Sequence, residues 1–498
     1  MMKLLLVPPD TRPPTMQFPK RLAEAVGVDV FIPPDKVLNN LNQPGDFEGL
    51  KAWLLEHTPT SNVLILSLEQ LTLGGMIPAR RVNDSLADVL KRLELLRELK
   101  QLNPNLQILA GGVIVRVAHG NDPLEEKPYY SEHGKNLRAY SEAFDKFERQ
   151  KTIENESRLW QTTKTLPRHI LDDWLSTRLR NFEMHVKALE LTKETIIDHL
   201  CLTLDDTSLF GLASRDKRKL EARVDDLQLW HKVDIYPGAD EVPVTLLARV
   251  LQEKPSKVYV RYSGLNGSNA GMMFEDRPAG ELVKAHLRAA KCLQVDSIHE
   301  ADFVLAVNTP AVTQSEERPD LLNVDTAARH LPEFIDFITR CLEQNIPVSV
   351  ADIAYPNGAE ERLVKVLETT PIKTLAGFAA WNTAGNTLGS SIAMGALSKH
   401  VQHHETWTEI LFNRFVDDYL YQTIVREEVR QKLQTDPFDL GKEKARAETM
   451  IAERVKPLAL EFWQKHFFSE GMGLRWEKPS LAWPRLFTGV FPLRVEKI

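Results

Sequence analysis

The chain of 498 residues is poor in cysteine, with only three, at positions 201, 292 and 341. They lie far apart, form no CxxC motif, and show no pairing with histidine at the spacing of common metal sites. So few cysteines exclude a disulfide-stapled scaffold and favour reduced thiols in a cytoplasmic protein. The N-terminal apolar run Leu4–Val7 is too short for a signal peptide and predicts a first buried strand instead.

Long apolar runs and excess positive charge are also missing. No stretch approaches the ~18 apolar residues of a membrane-spanning helix, so no membrane partner is expected. The net charge of −7 argues against a nucleic-acid partner bound through phosphate neutralisation. With 43% hydrophobic and 26% charged residues, the composition is that of a globular protein, whose partner is expected to be a small molecule. The oligomeric state is not predicted.

Several familiar catalytic motifs are absent. The sequence has no GxSxG, no GxGxxG after a strand, no HExxH and no kinase signature, so esterase, dehydrogenase and ATPase functions are not favoured.

What is present is a regular alternation of short apolar runs with amphipathic helical segments. The runs are Leu4–Val7, Val28–Ile32, Val63–Leu66, Ile108–Val115, Leu200–Leu204, Val233–Tyr236, Val258–Tyr262, Phe303–Val307, Val348–Val350 and Leu375–Ala380. This order is typical of α/β proteins with parallel strands. We expect a (β/α)8 barrel-like fold with a helical insertion and a helical, short-stranded C-terminal region. Two doubly wound βα domains remain the alternative.

The pattern predicts four regions. Residues 1–125 form a first βα half, 126–199 a polar helical insertion, 200–402 a second βα half, and 403–498 a C-terminal helical region with short strands.

Polar residues cluster where the predicted strands end, which is where ligands bind in both candidate folds. The expected substrate-binding residues are Asp10, Arg12, Glu69, Arg116, Asp240, Glu241, Asp352, Tyr355, Asn357, Trp381, Asn382 and Asn386. Because the carboxyl ends of parallel strands share one side of a sheet, we expect Asp10, Glu69, Asp205, Asp240, Asp352 and Asn382 to border one cleft. Two structural alternatives to substrate binding stay open: Asp240 caps the following helix, and Trp381 is a core residue.

The sharpest feature is the adjacent pair Asp205 and Asp206 at the end of a predicted strand. Two carboxylates in a partly desolvated pocket have their pKa values pushed apart, so one can donate a proton near pH 7 while the other stays charged. The alternative is that Asp206 or Ser208 caps the next helix.

No metal ligands or cofactors are assigned from the sequence. The strand-end acids could bind Mg²⁺ or Mn²⁺, which prefer oxygen ligands. Zinc is less favoured, because only the segment Arg116–Gly120 among the strand-end motifs contains a histidine.

The strand-end segments resemble one bacterial family over nearly the whole chain. PPDTRPPT, SLEQLTLGG, LTLDDTSLFG, YPGADEV, FEDRP and WNTAGNTLG are similar to the signature segments of the family filed as domain of unknown function 4127. The resemblance implies no particular activity.

A second, local resemblance concerns the acidic pair. LTLDDT is similar to the strand-end Asp-Asp of hexosaminidases that use the substrate's acetamido group as nucleophile. This resemblance implies that Asp205 orients the acetamido group and Asp206 is the general acid/base. Trp381-Asn382 and Tyr355-Pro356-Asn357 are similar to segments that hold the sugar in those enzymes.

We therefore expect an enzyme acting on a carbohydrate-like substrate, with glycoside hydrolysis by Asp205 and Asp206 favoured. A divalent-metal-dependent hydrolase or lyase, and a non-catalytic small-molecule binding protein, remain alternatives.

Overall fold

The computed structural model describes residues 2–205, 207–316, 327–434, 436 and 439–497. The chain divides into two compact units, and both are discontinuous in sequence. The first unit comprises Met1–Thr11, Asp29–Pro243 and Phe274–Asp276. The second unit comprises Arg12–Val28, Val244–Met273 and Arg277–Ile498.

The strands of the described residues are short, and most of them are deeply buried. They are β1 (Lys3–Val7), β2 (Asp29–Phe31), β3 (Val63–Ser67), β4 (Gln107–Ile114), β5 (His199–Leu204), β6 (Val233–Pro237), β7 (Ser256–Tyr262), β8 (Cys292–Val295), β9 (Phe303–Asn308), β10 (Val348–Asp352), β11 (Gly377–Ala379), β12 (Met472–Trp476), β13 (Ser480–Leu481), β14 (Gly489–Val490) and β15 (Leu493–Lys497).

Helices fill most of the chain between these strands. They are α1 (Phe18–Ala25), α2 (Phe47–His57), α3 (Leu68–Leu73), α4 (Leu86–Leu93), α5 (Leu95–Leu102), α6 (Tyr130–Arg149), α7 (Ile153–Lys164), α8 (Arg168–Lys193), α9 (Leu212–Leu227), α10 (Val242–Leu251), α11 (Ala279–Ala289), α12 (Leu331–Glu343), α13 (Glu361–Leu367), α14 (Ala384–Leu397), α15 (His404–Arg414), α16 (Arg426–Leu433) and α17 (Lys444–His466). A π-helical segment, Phe415–Val425, joins α15 to α16.

The first unit is built on a six-stranded parallel sheet within the described residues. Its strand order is β2-β1-β3-β4-β5-β6. Strand β2 therefore lies on one side of β1, and β3 to β6 lie on the other side. Alternate residues of the central strands enter a single apolar core with the helices, which includes Leu64, Leu200 and Leu202. Helix α4 begins where the Ser85 side chain accepts a hydrogen bond from the backbone N–H of Asp88 at 3.2 Å, which satisfies one of the free donors of the helix start.

The second unit contains a five-stranded parallel sheet in the order β11-β10-β9-β7-β8 among the described residues. Strand β8 lies on one side of β7, and β9, β10 and β11 lie on the other side. Helix α14 packs close to this sheet: a Cβ atom added at Gly395 would lie 2.3 Å from the ring of Phe303 on β9. Two small antiparallel pairs, β12 with β15 and β13 with β14, complete the unit.

The N-terminal helix α1 belongs to the second unit, although the segments before and after it in the chain belong to the first. It packs against α15, where Arg21 forms an ion pair with Glu409 at 2.7 Å. The guanidinium of Arg414, also on α15, lies 5.1 Å from the centre of the Phe18 ring. The residues of α1 that face this helix and the core, including Leu22, are buried.

The expected α/β class with parallel sheets is confirmed. The strand pairings of the described residues form two parallel sheets, and a single closed barrel is not seen among them. Residues 126–199, expected to be helical, contain α6, α7 and α8 and lie in the first unit, whereas 200–402 contributes to both units. In the part of the chain that the structure describes, no helix combines the length and apolarity needed to cross a bilayer.

Candidate functional site

Asp205 directly follows β5 and is held by two arginines. Its Oδ2 atom lies 2.6 Å from Nη2 of Arg80 and 3.8 Å from Nη1 of Arg116. Arg80 ends a 3-10 turn, Pro78–Arg80, that follows α3, whereas Arg116 comes two residues after β4. Three consecutive βα connections of the first sheet therefore converge on one carboxylate.

Glu125 and Glu126 complete this network. Arg116 lies 2.5 Å from Glu125 and 3.2 Å from Glu126, and Arg80 lies 3.4 Å from each of the two acids. Burial raises the pKa of Glu126, and the two arginines oppose that shift. We name this group of five residues the strand-end network.

The second acid of the predicted pair, Asp206, lies outside the described residues. The predicted alternative in which Ser208 caps the next helix is wrong, because α9 begins at Leu212 with Gly211 at its N-cap position. The Ser208 hydroxyl instead donates a hydrogen bond to the carbonyl oxygen of Phe210 at 2.6 Å.

A small cleft opens beside the end of β5. It is lined by residues that follow β4 and β5 and by helix α6, namely Val117, Arg138, Ser141, Glu142, Ser208, Phe210, Gly211 and Ala213. His119 stands in the same region, where burial first, and then the positive charges of Arg138 and Arg116, lower its pKa. The imidazole is thus neutral at physiological pH and able to accept or donate a hydrogen bond.

Glu241 is fully buried in the tight turn after β6. Its Oε2 atom accepts a hydrogen bond from the backbone N–H of Ala239 at 2.8 Å. Burial, with Asp240 and Asp205 contributing negative charge, raises the pKa of Glu241 to about 8. Helix α10 begins at the next residue, Val242, so Asp240 and Glu241 directly precede a helix start, and capping by Asp240 stays a prediction.

Both carboxylate oxygens of Glu69 contact other groups of the protein. It is buried within the first turn of α3, and its Oε1 accepts a hydrogen bond from the backbone N–H of Val113 on β4 at 2.7 Å. Its Oε2 accepts one from Ser67 at 3.0 Å, and His185 Nε2 lies 3.3 Å from Oε1. These contacts tie β3, β4 and α8 together, and its place among the substrate-binding residues stays a prediction.

The second unit has a separate polar network at the carboxyl ends of β9 and β10. Asn308 donates hydrogen bonds to Asp352 at 2.9 Å and to Glu360 at 2.8 Å. Arg329 binds both oxygens of Glu360, at 2.6 and 2.9 Å, and donates to Asn308 Oδ1 at 3.2 Å. Burial and the charge of Glu360 raise the pKa of Asp352 to about 6.

A buried acid of the π-helical segment supports the neighbouring strand. Asp418 Oδ2 accepts a hydrogen bond from the backbone N–H of Ala380 at 2.8 Å, and Oδ1 lies 3.2 Å from Arg414. Burial raises the pKa of Asp418 to about 7, with Asp417 and Asp352 adding to the shift and Arg414 opposing it.

Trp381 is buried, as the core alternative predicted. Its indole N–H donates to Ser390 at 3.1 Å, and its backbone N–H donates to Thr387 at 2.9 Å. Next to it, the carbonyl oxygen of Asn382 accepts from the backbone N–H of Asn357 at 2.9 Å, and both asparagines have positive φ, 53° and 61°. The predicted segments around residues 355–357 and 381–382 are therefore in contact.

Three further predicted residues, Asp10, Arg12 and Asn386, are buried, whereas Tyr355 is half-buried. Asn386, in α14, donates to Thr383 at 3.3 Å. Asp10 is buried just after β1, in the first unit. Arg12 belongs to the second unit, where its guanidinium lies 4.6 Å from the centre of the Trp483 ring.

The predicted site residues therefore fall into two groups. Asp10, Glu69, Arg116, Asp205, Asp240 and Glu241 follow strands of the first sheet, and Asp352, Tyr355, Asn357, Trp381, Asn382 and Asn386 belong to the second unit. The single cleft expected for both groups stays a prediction.

Sequence reasoning missed several members of these networks: Arg80, Glu125, Glu126, Arg329, Glu360 and Asp418. It also missed a cluster of His199, Cys201 and Asp234, whose ligand atoms all lie within 4.8 Å of one another. The signal for this cluster was available: residues 199 and 201 of a strand face the same side, so a two-residue spacing on a strand places the imidazole beside the thiol.

These features define an α/β protein with two parallel sheets and charged, buried groups at the carboxyl end of each. A family model described as "Protein of unknown function (DUF4127)" matches residues 4–490. The chain therefore belongs to this family, which confirms the resemblance of the strand-end segments. A search of curated proteins finds no match to the chain.

Proposed function

We propose that the protein is a hydrolase acting on a carbohydrate-like substrate at the carboxyl end of the first sheet, with glycoside hydrolysis as its reaction. Asp206 is the general acid/base, and Asp205 is the carboxylate that orients the substrate. The observation that supports this most is the fixed position of Asp205, 2.6 Å from a buried arginine and directly after β5.

The strand-end network suits an orienting role for Asp205. A carboxylate held by Arg80 and Arg116 keeps one orientation, and a preorganised charge stabilises a cationic transition state at little reorganisation cost. The guanidinium group of Arg138, which lines the small cleft, offers a hydrogen-bond donor for a hydroxyl group of the substrate.

In this proposal each sheet belongs to a doubly wound βα unit. Ligands of such units bind outside the carboxyl ends of the strands, which is where we place the site. It takes the protein to be cytoplasmic, because its three cysteines are free thiols.

The experiment is a hydrolysis assay with a panel of aryl glycosides that includes aryl N-acetylhexosaminides. Asp206→Asn should lower kcat by about two to four orders of magnitude, the usual range for general acid–base catalysis. The matched control is Asp226→Asn, which makes the same exchange in the exposed Asp225-Asp226 pair of α9 and should leave kcat unchanged.

The pattern of losses separates the two roles. Substrates with good leaving groups need less protonation, so Asp206→Asn should impair them less than substrates with poor leaving groups. Asp205→Asn should slow all N-acetylated substrates alike. Full activity of Asp206→Asn, or no turnover of any glycoside by the unmodified protein, would refute the proposal. Tight sugar binding without turnover would point to a binding protein.

A second candidate is a hydrolase or lyase that depends on Mg²⁺ or Mn²⁺. It is favoured by the electrostatic coupling of Glu241 with Asp240 and Asp205, since a divalent cation would bind where carboxylates repel one another. Activity that disappears with chelator and returns with Mn²⁺ would identify this candidate. Activity indifferent to chelator would exclude it.

A further inference from the structure

A second cluster of chemically reactive side chains lies inside the first sheet, away from the strand ends. His199 and Cys201 are on β5, and Asp234 is on β6. Each is at least nine-tenths buried, with exposed fractions of 5%, 0% and 4%. Three different polar groups at this depth are unusual, because burying them costs free energy unless each has a partner.

The strands place the three groups by a simple rule. Residues two apart on a strand point to the same face, so His199 and Cys201 are neighbours on one side of β5. Cys201 is the register partner of Asp234 on the parallel strand β6, which puts the carboxylate on that same face. The other face, with Leu200 and Leu202, enters the apolar core.

The distances match a coordination shell. His199 Nε2 lies 3.0 Å from Asp234 Oδ2, and the nitrogen, sulfur and oxygen atoms all lie within 4.8 Å of one another. Ligand atoms around a tetrahedral zinc ion, with bonds of about 2.0–2.3 Å, are roughly 3–4 Å apart. Small side-chain rotations would thus bring all three atoms to bonding distance of one ion.

The geometry points to a transition-metal site formed by His199, Cys201 and Asp234, with Zn²⁺ as the ion whose preferences it fits. Imidazole, thiolate and carboxylate are all common zinc ligands, and the thiolate disfavours Mg²⁺ and Ca²⁺. The two negative charges of a thiolate and a carboxylate would balance the ion in a dry environment. Tyr236, next on that face of β6, has its hydroxyl beside Cys201 and would donate a hydrogen bond to the metal-bound sulfur.

The burial of the cluster assigns the ion a structural role. It would join β5 to β6 below the strand ends that carry Asp205 and Glu241. Because zinc then binds only the folded first unit, it should raise the melting temperature. The inference is independent of the proposed hydrolase activity.

The test begins with the metal content of the full chain, purified without chelator from zinc-supplemented medium. We expect about one zinc per chain after gel filtration. Metal-free protein titrated with Co²⁺ should develop the near-ultraviolet charge-transfer absorption of a thiolate–cobalt bond. Both the zinc content and this absorption should be lost in Cys201→Ala and in Asp234→Asn.

Cys292→Ala is the matched control, because it removes a cysteine of the second unit and should keep both the metal and the absorption. A protein without bound zinc, whose melting temperature and absorption do not respond to Zn²⁺ or Co²⁺, would overturn the inference. So would metal retained by folded Cys201→Ala and Asp234→Asn. If these variants do not fold, the metal content and cobalt spectrum of the unmodified chain decide.

Discussion

Replacing Glu241 by glutamine tests how much a negative charge at this buried position lowers the free energy of unfolding. The carboxyl group is fully buried, and its Oε2 accepts a hydrogen bond from Ala239 that the amide oxygen of glutamine can also accept. The substitution keeps this hydrogen bond and removes the ability to ionise. The substitution should therefore leave the fold intact and change how stability depends on pH.

The sign follows from proton binding. The folded pKa of Glu241, about 8, lies above the ordinary value of a glutamate, so the folded chain holds this proton more tightly than the unfolded chain. Stability consequently falls as pH rises from about 4 to about 8 and changes no further above that. At 1.36 kcal/mol for each pH unit between the two pKa values, the full effect is roughly 5 kcal/mol.

The assay is urea unfolding at constant ionic strength between pH 5 and pH 9, comparing the unmodified chain with Glu241→Gln and with the control Glu56→Gln. Glu56 is exposed on α2 and belongs to the same unit. Glu241→Gln should gain stability over the unmodified chain as pH rises, by several kcal/mol at pH 9, whereas the control should follow the unmodified chain. Parallel curves for all three proteins would refute the reasoning.

Three further substitutions test packing and charge in each unit. Arg80→Met removes one of the two cations that bind Asp205, Glu125 and Glu126 and should cost about 3–5 kcal/mol of unfolding free energy, whereas Arg168→Met, at an exposed ion pair, should cost under about 1 kcal/mol; equal losses would contradict this. Gly395→Ala should cost about 1–3 kcal/mol because its methyl group meets the ring of Phe303, and an unchanged melting temperature would show that the ring moves aside. Ser85→Ala should cost about 1 kcal/mol in urea unfolding, and Ser85→Asn should restore it if capping is the cause.

Most of the strands that sequence reasoning found are buried on both faces, whereas the edge strand β2 was found from its apolar run although its residues are half-buried or exposed. Strands buried on both faces appear as continuous apolar runs, as in Leu4–Val7 before the first strand-end motif. Strand β8, Cys292–Val295, was missed because it is an edge strand whose residues are half-buried or exposed, so its sequence carries no apolar run.

The charged networks could not be predicted in the same way. Arg80 and Asp205 are 125 residues apart, and nothing in either local sequence indicates the partner. The prediction of a helical region with short strands over 403–498 did not indicate the buried Asp418. A local signal existed there, since Asp417 and Asp418 interrupt a run of apolar and aromatic residues that starts at Phe415.

Because the second unit is discontinuous in sequence, the ribosome makes its first segment, which contains α1, long before its last segment. Every segment of the first unit has been made once the ribosome passes residue 276, but α1 must wait for α15, which ends at Arg414. At 5–20 residues per second, the roughly 140 intervening residues take about 7–28 s. During that time the apolar side of α1, with Phe18 and Leu22, lacks the helix against which it packs in the folded chain.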